Sequence, residues 1–424
     1  MKFSYGKIFL LGFGFFGVSV IWGVYNAFVP IFLANKFGLE AALIGFFMTL
    51  DNIAALFIQP PVGAWSDRLR TPIGRRLPFI LAGAPITALA FGLIPMAAVL
   101  PLFVACTSTL LLSAALWRTP VVALMPDITP SEKRSQANGI INFMGGIGTI
   151  IALQTGGMLY TLNPAFPFWL GSALVVAAAL IVFLFVKEPK DYLESSEAQP
   201  NMIESLREVL YEQDKSGARI LFAIFFWFVG YSAVETFFTL YAQEHLGISP
   251  GDGATLLSVF PLFFVLFAIP SGFLAARTGR RIAISFGLIV VSALLALFYI
   301  LPAGTLLTPI APLPLIGIPV AEGGPRMLTI AGLFLIFGGI GWASVNINSL
   351  PMVVELTSAA RIGTFTGLYY LFSTFSAIVG PNVNGWAIQL TGNNYNVIML
   401  IAPFFMLTAL VLMLGVKRGE ATIR

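Results

Sequence analysis

Charged residues are scarce in this chain of 424 residues. Asp, Glu, Lys and Arg together make up 10% of it, 58% is hydrophobic, and the mean hydropathy is +0.91. A soluble domain of this length has no interior large enough to hide so much apolar surface. The composition therefore excludes a soluble globular protein and predicts an integral membrane protein.

Residue types that perform catalysis or bind metals are nearly missing. The chain has one cysteine and one histidine, so it can form no disulfide framework and no Cys/His metal site. It contains no GxSxG, HExxH or Walker-type phosphate motif. We therefore expect no enzyme, no nucleotide-driven pump, no metal and no cofactor. Membrane topology explains the basic pI of 9.2, so we expect no nucleic-acid partner.

Long apolar runs are abundant. They reach about 20 residues or more, enough to cross a hydrocarbon core of roughly 30 Å, and they lack the alternating pattern of membrane β-barrels. The fold class is therefore an all-α membrane protein. We predict twelve transmembrane helices, at 8–34, 41–64, 77–98, 101–125, 137–160, 166–187, 219–243, 253–275, 282–301, 327–350, 362–386 and 395–416.

Basic residues are unevenly distributed around these spans. Twenty of the 23 Lys and Arg residues fall on the side that carries both termini, which predicts cytoplasmic termini in a multi-pass protein of the cell (inner) membrane. The one long polar stretch divides the chain into halves. We predict an N-terminal six-helix bundle at 1–187, a cytoplasmic linker at 188–218 and a C-terminal six-helix bundle at 219–424.

Two charged loops occur once in each half. The first, Gly63–Arg76, reads GAWSDRLRTPIGRR, and a shorter version, GFLAARTGRR, runs over Gly272–Arg281. MPDITPSEKRSQANG from Met125 is similarly matched by VVELTSAARIGTFTG from Val353, with Asp127 and Glu355 228 residues apart. Repeated loops at corresponding positions indicate two related halves.

Two six-helix halves with matching loops resemble the major facilitator superfamily, which implies a substrate site between the halves near the bilayer midplane. QPPVGAWSDRLRTPIGRRLPF (59–79) and TPVVALMPDITPSEKRSQANG (119–139) are similar to loops of proton-coupled sucrose transporters, relatives of the glycoside–pentoside–hexuronide:cation symporters. This resemblance implies secondary active symport of a disaccharide or related glycoside with a proton, by alternating access. The expected partners are that sugar, the proton and the lipid bilayer, and we expect a functional monomer.

Two positions depart from that branch. The melibiose-type sodium symporters carry several aspartates along helix two, whereas here Asp51 is followed on its face by Ala55 and Gln59. This difference favours a proton over sodium. The plant sucrose group has an arginine five residues before the helix-four aspartate, where this chain has Val122. Arg118, one turn deeper on the same face, is the candidate replacement.

Three charges lie well inside apolar runs: Asp51, Arg118 and Glu235. Each costs at least about 2.5–3.5 kcal/mol to insert, so each should face a cavity or a partner. Burial raises the pKa of a carboxyl group and a nearby arginine lowers it. An aspartate that meets an arginine in one conformation only would therefore bind and release a proton. We predict that Asp51 is the proton site, Arg118 its switchable partner and Glu235 a second candidate; a static Asp51–Arg118 pair is the alternative.

In the superfamily, helices one, four, seven and ten line the cavity, and here they carry polar and aromatic residues at helical spacing. Sugar hydroxyls need directed donors and acceptors, and sugar C–H faces pack on aromatic rings. The predicted substrate-binding residues are Ser19, Trp22, Asn26, Asn142, Tyr231, Glu235, Trp342, Asn346 and Asn384. The alternative is that these residues hold helices together or anchor the membrane interface.

The charged loops are predicted to close the cytoplasmic side through ion pairs, which can favour one of two packed arrangements. The gate candidates are Gly63, Asp67, Arg68, Gly74, Arg75, Arg76, Asp127, Arg134 and Glu355. Gly63 is placed at the end of helix two, where a missing side chain permits a close approach or a sharp exit. The alternative function is a proton-coupled exporter of amphipathic small molecules, to which the 39 phenylalanines are suited.

Overall fold

The computed structural model describes residues 4–130, 133–188, 202–320, 324–357 and 362–419. Within these ranges, eleven helices are long and apolar enough to cross a membrane. A further helix, Ile362–Leu390, has 29 residues and contains no charged side chain. The helices belong to two compact units, which are described in turn.

Unit 1 comprises Met1–Leu39, Leu50–Glu194 and Ser249–Ser258. Proline in the first turn begins three of its helices, where the missing N–H costs no helical hydrogen bond. Its helices are α1 (Tyr5–Ile31, continued by a π-helical turn Phe32–Lys36), α3 (Leu50–Arg68), α4 (Leu77–Leu93), α5 (Leu100–Ile128), α6 (Arg134–Leu162) and α7 (Phe166–Phe185).

The core of unit 1 lies around α1, which packs on α5, α6 and α7. Phe28 stacks on Tyr160 at 4.4 Å between ring centroids, and Phe168 lies against both Phe28 and Phe32. The Ser258 hydroxyl donates to Gln154 Oε1 at 2.7 Å, which joins Ser249–Ser258 to α6. Apolar side chains meet inside the unit while the remaining apolar residues face outward, as a lipid solvent allows.

Unit 2 comprises Glu40–Thr49, Ser195–Ile248 and Val259–Arg424. Its helices are α2 (Ala41–Phe47), α8 (Met202–Tyr211), α9 (Ser216–Glu244), α10 (Pro250–Thr278, whose first turns belong to unit 1), α11 (Arg280–Ile300), α12 (Ala303–Leu306), α13 (Ile330–Val354), α14 (Ile362–Leu390) and α15 (Ile398–Leu414). Between α12 and α13 lies an antiparallel sheet of β1 (Pro309–Pro312), β2 (Ile318–Pro319) and β3 (Arg326–Thr329) in the order β1–β3–β2.

The segment containing α2 belongs to unit 2 because it packs closely on α14. A Cβ atom on Gly45 would lie 2.3 Å from the carbonyl oxygen of Pro381, so no other residue fits there without a backbone shift. The Asn382 amide also donates to Thr49 Oγ1 at 3.3 Å. The units therefore differ from the sequence halves at two segments, 40–49 and 249–258.

The predicted end of helix two was wrong. α3 continues past Gly63 to Arg68, and a Cβ atom on Gly63 would lie 3.6 Å from the Thr119 methyl, an ordinary contact. Gly63 is therefore neither at a helix exit nor at a forced close approach. Glycine weakens a helix but does not end it, so the residues after Gly63 stay helical as far as Arg68.

Candidate functional site

A network of ion pairs lies at one end of unit 1, where α3, α4 and α5 meet. Arg76 is 4% exposed and binds Asp67 at 2.5 Å and Asp127 at 3.1 Å, while Arg75 binds Asp127 at 2.7 Å. The Ser66 hydroxyl also accepts from Arg76. Two arginines and two carboxylates thus connect three helices by ion pairs. The side chain of Asp127 is largely closed to solvent, with 13% of it exposed. We call these four charged residues the unit 1 network.

Glu188, just after α7, fixes the loop that carries the two arginines. Its carboxylate accepts from the main-chain N–H groups of Arg75, Arg76 and Leu77 at 2.7, 2.8 and 2.7 Å. A carboxylate at a helix N-terminus binds donors that have no partner within the helix. Gly74 has φ +121°, and a Cβ there would lie 2.5 Å from the Glu188 carboxyl carbon. Glycine is therefore required at position 74, because any side chain there would occupy the space of the Glu188 carboxylate.

The other gate candidates have different surroundings. Arg68 is exposed at the end of α3, outside the unit 1 network. The side chain of Arg134 lies outside the described residues, although its backbone begins α6. Glu355, in unit 2, pairs with Arg280 at 3.4 Å.

In unit 1 the acidic residue within the membrane lies near the predicted arginine. Asp51 is in the first turn of α3 and half-buried, and its carboxylate accepts from the Asn52 amide at 2.9 Å. Arg118 of α5 and Tyr25 of α1 both lie within electrostatic range of it. Tyr25 is 1% exposed, and among the described residues its hydroxyl has no hydrogen-bond partner. Asp51 and Arg118 thus lie within electrostatic range of each other, and a buried phenol that the sequence did not single out lies within range of Asp51.

The polar residues predicted on α1 form a single half-buried stripe. Ser19, Trp22 and Asn26 are partly accessible, whereas the residues from Gly23 to Tyr25 and from Ala27 to Ile31 are buried. Trp22 meets Tyr25 edge to face at 5.5 Å between ring centroids. Helical spacing therefore identified the accessible face of α1. Asn142 lies elsewhere, exposed on α6, where its amide donates to the carbonyl of Asn138 at 2.9 Å.

Unit 2 brings the predicted aromatic residues of α9 and α13 together. The rings of Tyr231 and Trp342 are stacked, 4.5 Å between centroids and 5° from parallel. Phe228 meets Trp342 edge to face at 5.6 Å and Tyr369 of α14 at 6.3 Å. Glu235, one turn beyond Tyr231, lies within electrostatic range of that phenol. We call Phe228, Tyr231, Trp342 and Tyr369 the aromatic cluster.

Accessibility separates the members of this site. Phe228, Tyr231 and Glu235 are half-buried and share one face of α9. Trp342 is 3% exposed, so Tyr231 is the more accessible ring of the stacked pair. The sequence did not single out Phe228, although its spacing of three from Tyr231 could have revealed it. Tyr369 carried no such signal because it comes from another helix.

The asparagines of unit 2 lie in two environments. Asn346 is half-buried on α13, one turn from Trp342. Asn384 is fully buried on α14, where its amide donates to the Gly380 carbonyl at 2.9 Å and, among the described residues, Oδ1 has no partner. Asn384 therefore lies within helix packing in this structure, whereas Asn346 lies on the accessible side of its helix.

The family model of the Major Facilitator Superfamily matches residues 11–381 of this chain. The chain belongs to that superfamily. The predicted superfamily and its all-α membrane fold are thereby confirmed. Members of the superfamily are membrane transporters of small molecules, and the sucrose and glycoside branch stays a prediction.

Two curated proteins that this superfamily member is similar to are named as resistance proteins. It is 26% identical over 260 residues to Multidrug resistance protein 2 of Bacillus subtilis, covering 60% of this chain and 62% of that protein. The match thus spans less than two thirds of that relative. It is 24% identical over 409 residues to the class E tetracycline resistance protein of Escherichia coli, covering 92% of this chain and 91% of that protein.

Solved structures of the superfamily share the fold. A variant of the nucleoside transporter NupG superimposes with a TM-score of 0.73 at 16% identity, covering 97% of this chain and 100% of that one. A bacterial homologue of the human lysosomal transporter Spinster also gives 0.73, at 14% identity, covering 99% and 98%. At these identities the likeness concerns the fold alone.

Proposed function

We propose that this superfamily member is a secondary transporter that exports amphipathic small molecules in exchange for protons. The observation that carries this proposal is the aromatic cluster of unit 2 with Glu235 beside it. Flat aromatic rings bind the apolar body of an amphipathic compound, and a carboxylate beside them attracts its cationic or hydrogen-bonding group.

The arrangement of the rings favours amphiphiles over sugars. A sugar needs an open ring face together with several donors and acceptors around its hydroxyls. Here the Trp342 face is covered by Tyr231, and the half-buried side chains on the α9 face of Tyr231 include Phe228 and Glu235. Two rings and one acid suit a compound with one polar group and a large apolar surface.

The curated relatives support the same direction of transport. Both are named as resistance proteins, one for many drugs and one for tetracycline. The tetracycline relative matches over nearly the whole length of both chains. Residue roles are not transferred from either protein, since the identities are low.

For proton coupling we propose Asp51, with Arg118 as its switchable partner, in unit 1. The two residues lie on different helices, α3 and α5, within electrostatic range. A movement between these helices would change how strongly the guanidinium favours the carboxylate over the acid. Proton binding at Asp51 and the conformational state would thereby be linked, as exchange requires. The unit 1 network is proposed to close the side of the termini, expected to be cytoplasmic.

Proton-coupled glycoside symport remains a second candidate. Ser19, Trp22 and Asn26 form one accessible stripe on α1, with a ring and two polar groups within three turns. This combination suits a sugar, and the charged loops resemble those of the sucrose branch. A single transport assay separates the two functions, because the proton moves in opposite directions relative to the substrate.

The test uses proteoliposomes with an imposed proton gradient and an internal pH dye. With an acidic interior, we expect external tetracycline or tetraphenylphosphonium to accelerate internal alkalinisation and to accumulate inside. Sucrose and maltose are added to vesicles with an acidic exterior, where symport would acidify the interior. Protein-free liposomes give the passive leak of each compound.

Two variants with one matched control assign the residues. Asp51→Asn should abolish the pH response to every substrate, because the amide cannot carry the proton. Glu235→Gln should weaken transport of tetraphenylphosphonium at least tenfold. Glu244→Gln, an exposed acid at the end of the same helix α9, should change neither. Sugar-triggered acidification without any response to the amphiphiles would replace export with symport.

A further inference from the structure

A second set of aromatic rings lies in unit 2, next to the aromatic cluster. Phe225 of α9 stacks on Phe375 of α14, with 5.6 Å between ring centroids and 28° between ring planes. Phe222, which lies nearer the start of α9, meets Phe372 edge to face at 5.5 Å. The proposed function does not use these rings. We call Phe222, Phe225, Phe372 and Phe375 the phenylalanine group.

The phenylalanine group continues the aromatic cluster along both helices. Its members keep a spacing of three residues from Phe228 on α9 and from Tyr369 on α14. A spacing of three turns successive side chains by roughly 60° around a helix, so these rings lie on adjoining faces. The phenylalanine group and the aromatic cluster are therefore neighbours on α9 and on α14.

The rings of the phenylalanine group are accessible. Phe375 is 57% exposed and Phe222 is 42% exposed, while the other two rings are half-buried. From Phe222 to Tyr231, every residue of α9 that is not buried is aromatic. Contiguous exposed apolar side chains mark a surface that binds another apolar molecule. In a membrane protein that molecule is either a lipid or a substrate.

The acid on α9 favours a substrate over a lipid. Glu235 follows Tyr231 by four residues and shares its face of the helix. A carboxylate within a membrane span faces the protein interior or a water-filled cavity and not the acyl chains. The face of α9 that carries Tyr231 and Glu235 is therefore not a lipid face, and the phenylalanine group adjoins it.

We propose that the phenylalanine group binds the long apolar part of an amphipathic cation whose charged group lies beside Glu235. Phe222 and Glu235 are 13 residues apart on α9, which is about 20 Å along the helix axis. The rings lie toward the start of α9, on the side expected to be cytoplasmic, from which an exported compound enters. This inference rests on the proposed function and adds that the site distinguishes substrates by the length of their apolar part.

The test uses proteoliposomes with butyl-, octyl- and dodecyltriphenylphosphonium, which carry the same charge and differ only in chain length. The KM of each compound is measured for the unaltered protein, for Phe375→Ala and for Phe222→Ala. We expect the ratio of variant KM to unaltered KM to rise with chain length, from less than about twofold for butyl to about tenfold for dodecyl, because only the longer chain loses apolar contact with the missing ring. The ratio removes the effect of partitioning into the lipid, which is the same for every variant.

Phe404→Ala is the matched control, because Phe404 is 66% exposed on α15 and belongs to neither set of rings. Its KM ratio should stay near one for all three compounds. A ratio that does not rise with chain length in Phe375→Ala and Phe222→Ala, or that rises equally in Phe404→Ala, would overturn the proposal and assign the phenylalanine group to acyl chains of the bilayer. Transport of none of the three compounds by the unaltered protein would instead overturn the proposed export function, and this inference with it.

Discussion

The loops after α3 and α10 carry the same Gly-Arg-Arg motif with different acceptors. In unit 1, Arg75 and Arg76 bind the carboxylates of Asp127 and Asp67. In unit 2, Arg281 donates to the carbonyl of Val416 at 2.8 Å, and Arg280 reaches Glu355 only at 3.4 Å. The position of Asp67 is taken by Ala276. The repeated motif therefore binds two aspartates in unit 1, whereas the described partners of its arginines in unit 2 are one glutamate and main-chain carbonyls.

The segments after α7 and α15 show the same divergence. Val186-Lys187-Glu188 and Val416-Lys417-Arg418 follow the last spans of the two halves, and both valines are 1% exposed. Glu188 binds the start of α4, whereas Arg418 pairs with Glu212 at 2.6 Å and Asp214 at 3.7 Å. The third residue of each segment, Glu188 or Arg418, thus has the opposite charge and binds different partners. We infer that breaking the contacts at this end costs more free energy in unit 1 than in unit 2.

The largest expected effect comes from Arg76→Ala. It leaves Asp127, with 13% of its side chain exposed, short of a partner, and removal of one partner from a buried ion pair costs about 3 kcal/mol of the free energy of unfolding. Arg281→Ala, the matched change in unit 2, should cost about 1 kcal/mol, because its hydrogen bond to the Val416 carbonyl is lost. Reversible unfolding in mixed micelles measures both. Equal losses of the free energy of unfolding in the two variants would contradict the proposed difference between the units.

Glu188→Ala should be next in size. Three main-chain N–H groups at the start of α4 lose their acceptor, which we expect to cost about 2 kcal/mol. Glu188→Gln should recover part of this, since the amide oxygen still accepts. Arg418→Ala, at the corresponding exposed position, should cost less than about 0.5 kcal/mol. If Arg418→Ala proves as costly as Glu188→Ala, the two segments are equivalent after all.

Ala276→Asp sharpens the comparison by supplying the acid that unit 2 lacks. Ala276 is exposed, so the new carboxylate should pair weakly with Arg280 or Arg281 and stabilise by less than about 1 kcal/mol. The gain should disappear in 0.5 M salt, which screens exposed pairs. A salt-independent gain would indicate that the loop of unit 2 is more enclosed than described.

The smallest effect concerns pH at this end of unit 2. The Ser216 hydroxyl and main-chain N–H, with Arg418 nearby, hold the pKa of the Asp214 carboxyl below its ordinary value of 3.8. A lowered pKa in the folded state contributes stability above pH 4 and loses it as the pH falls through the folded value. The Tm of the unaltered protein should therefore fall more between pH 5 and 3 than that of Asp214→Asn. Parallel curves would contradict this.

Local pattern identified residues that share a face of one helix. The half-buried stripe of Ser19, Trp22 and Asn26 follows from helical spacing on α1, whereas the stacking of Tyr231 on Trp342 joins two helices and was not predicted. Asn384, by contrast, has the same polar character as Asn346, yet one is fully buried and the other accessible. Spacing along one helix cannot distinguish them, because burial depends on which neighbouring helix covers each face.

Hydropathy over stretches of about 20 residues determined the membrane class, and the repeated loops determined the two related halves, since both signals lie within contiguous sequence. Tertiary structure alone decided that Glu188 holds the start of α4, more than 100 residues away, that Tyr369 completes the aromatic cluster, and that the segment with α2 packs on α14. These contacts depend on how helices cross, and crossing is set by side chains from several helices at once.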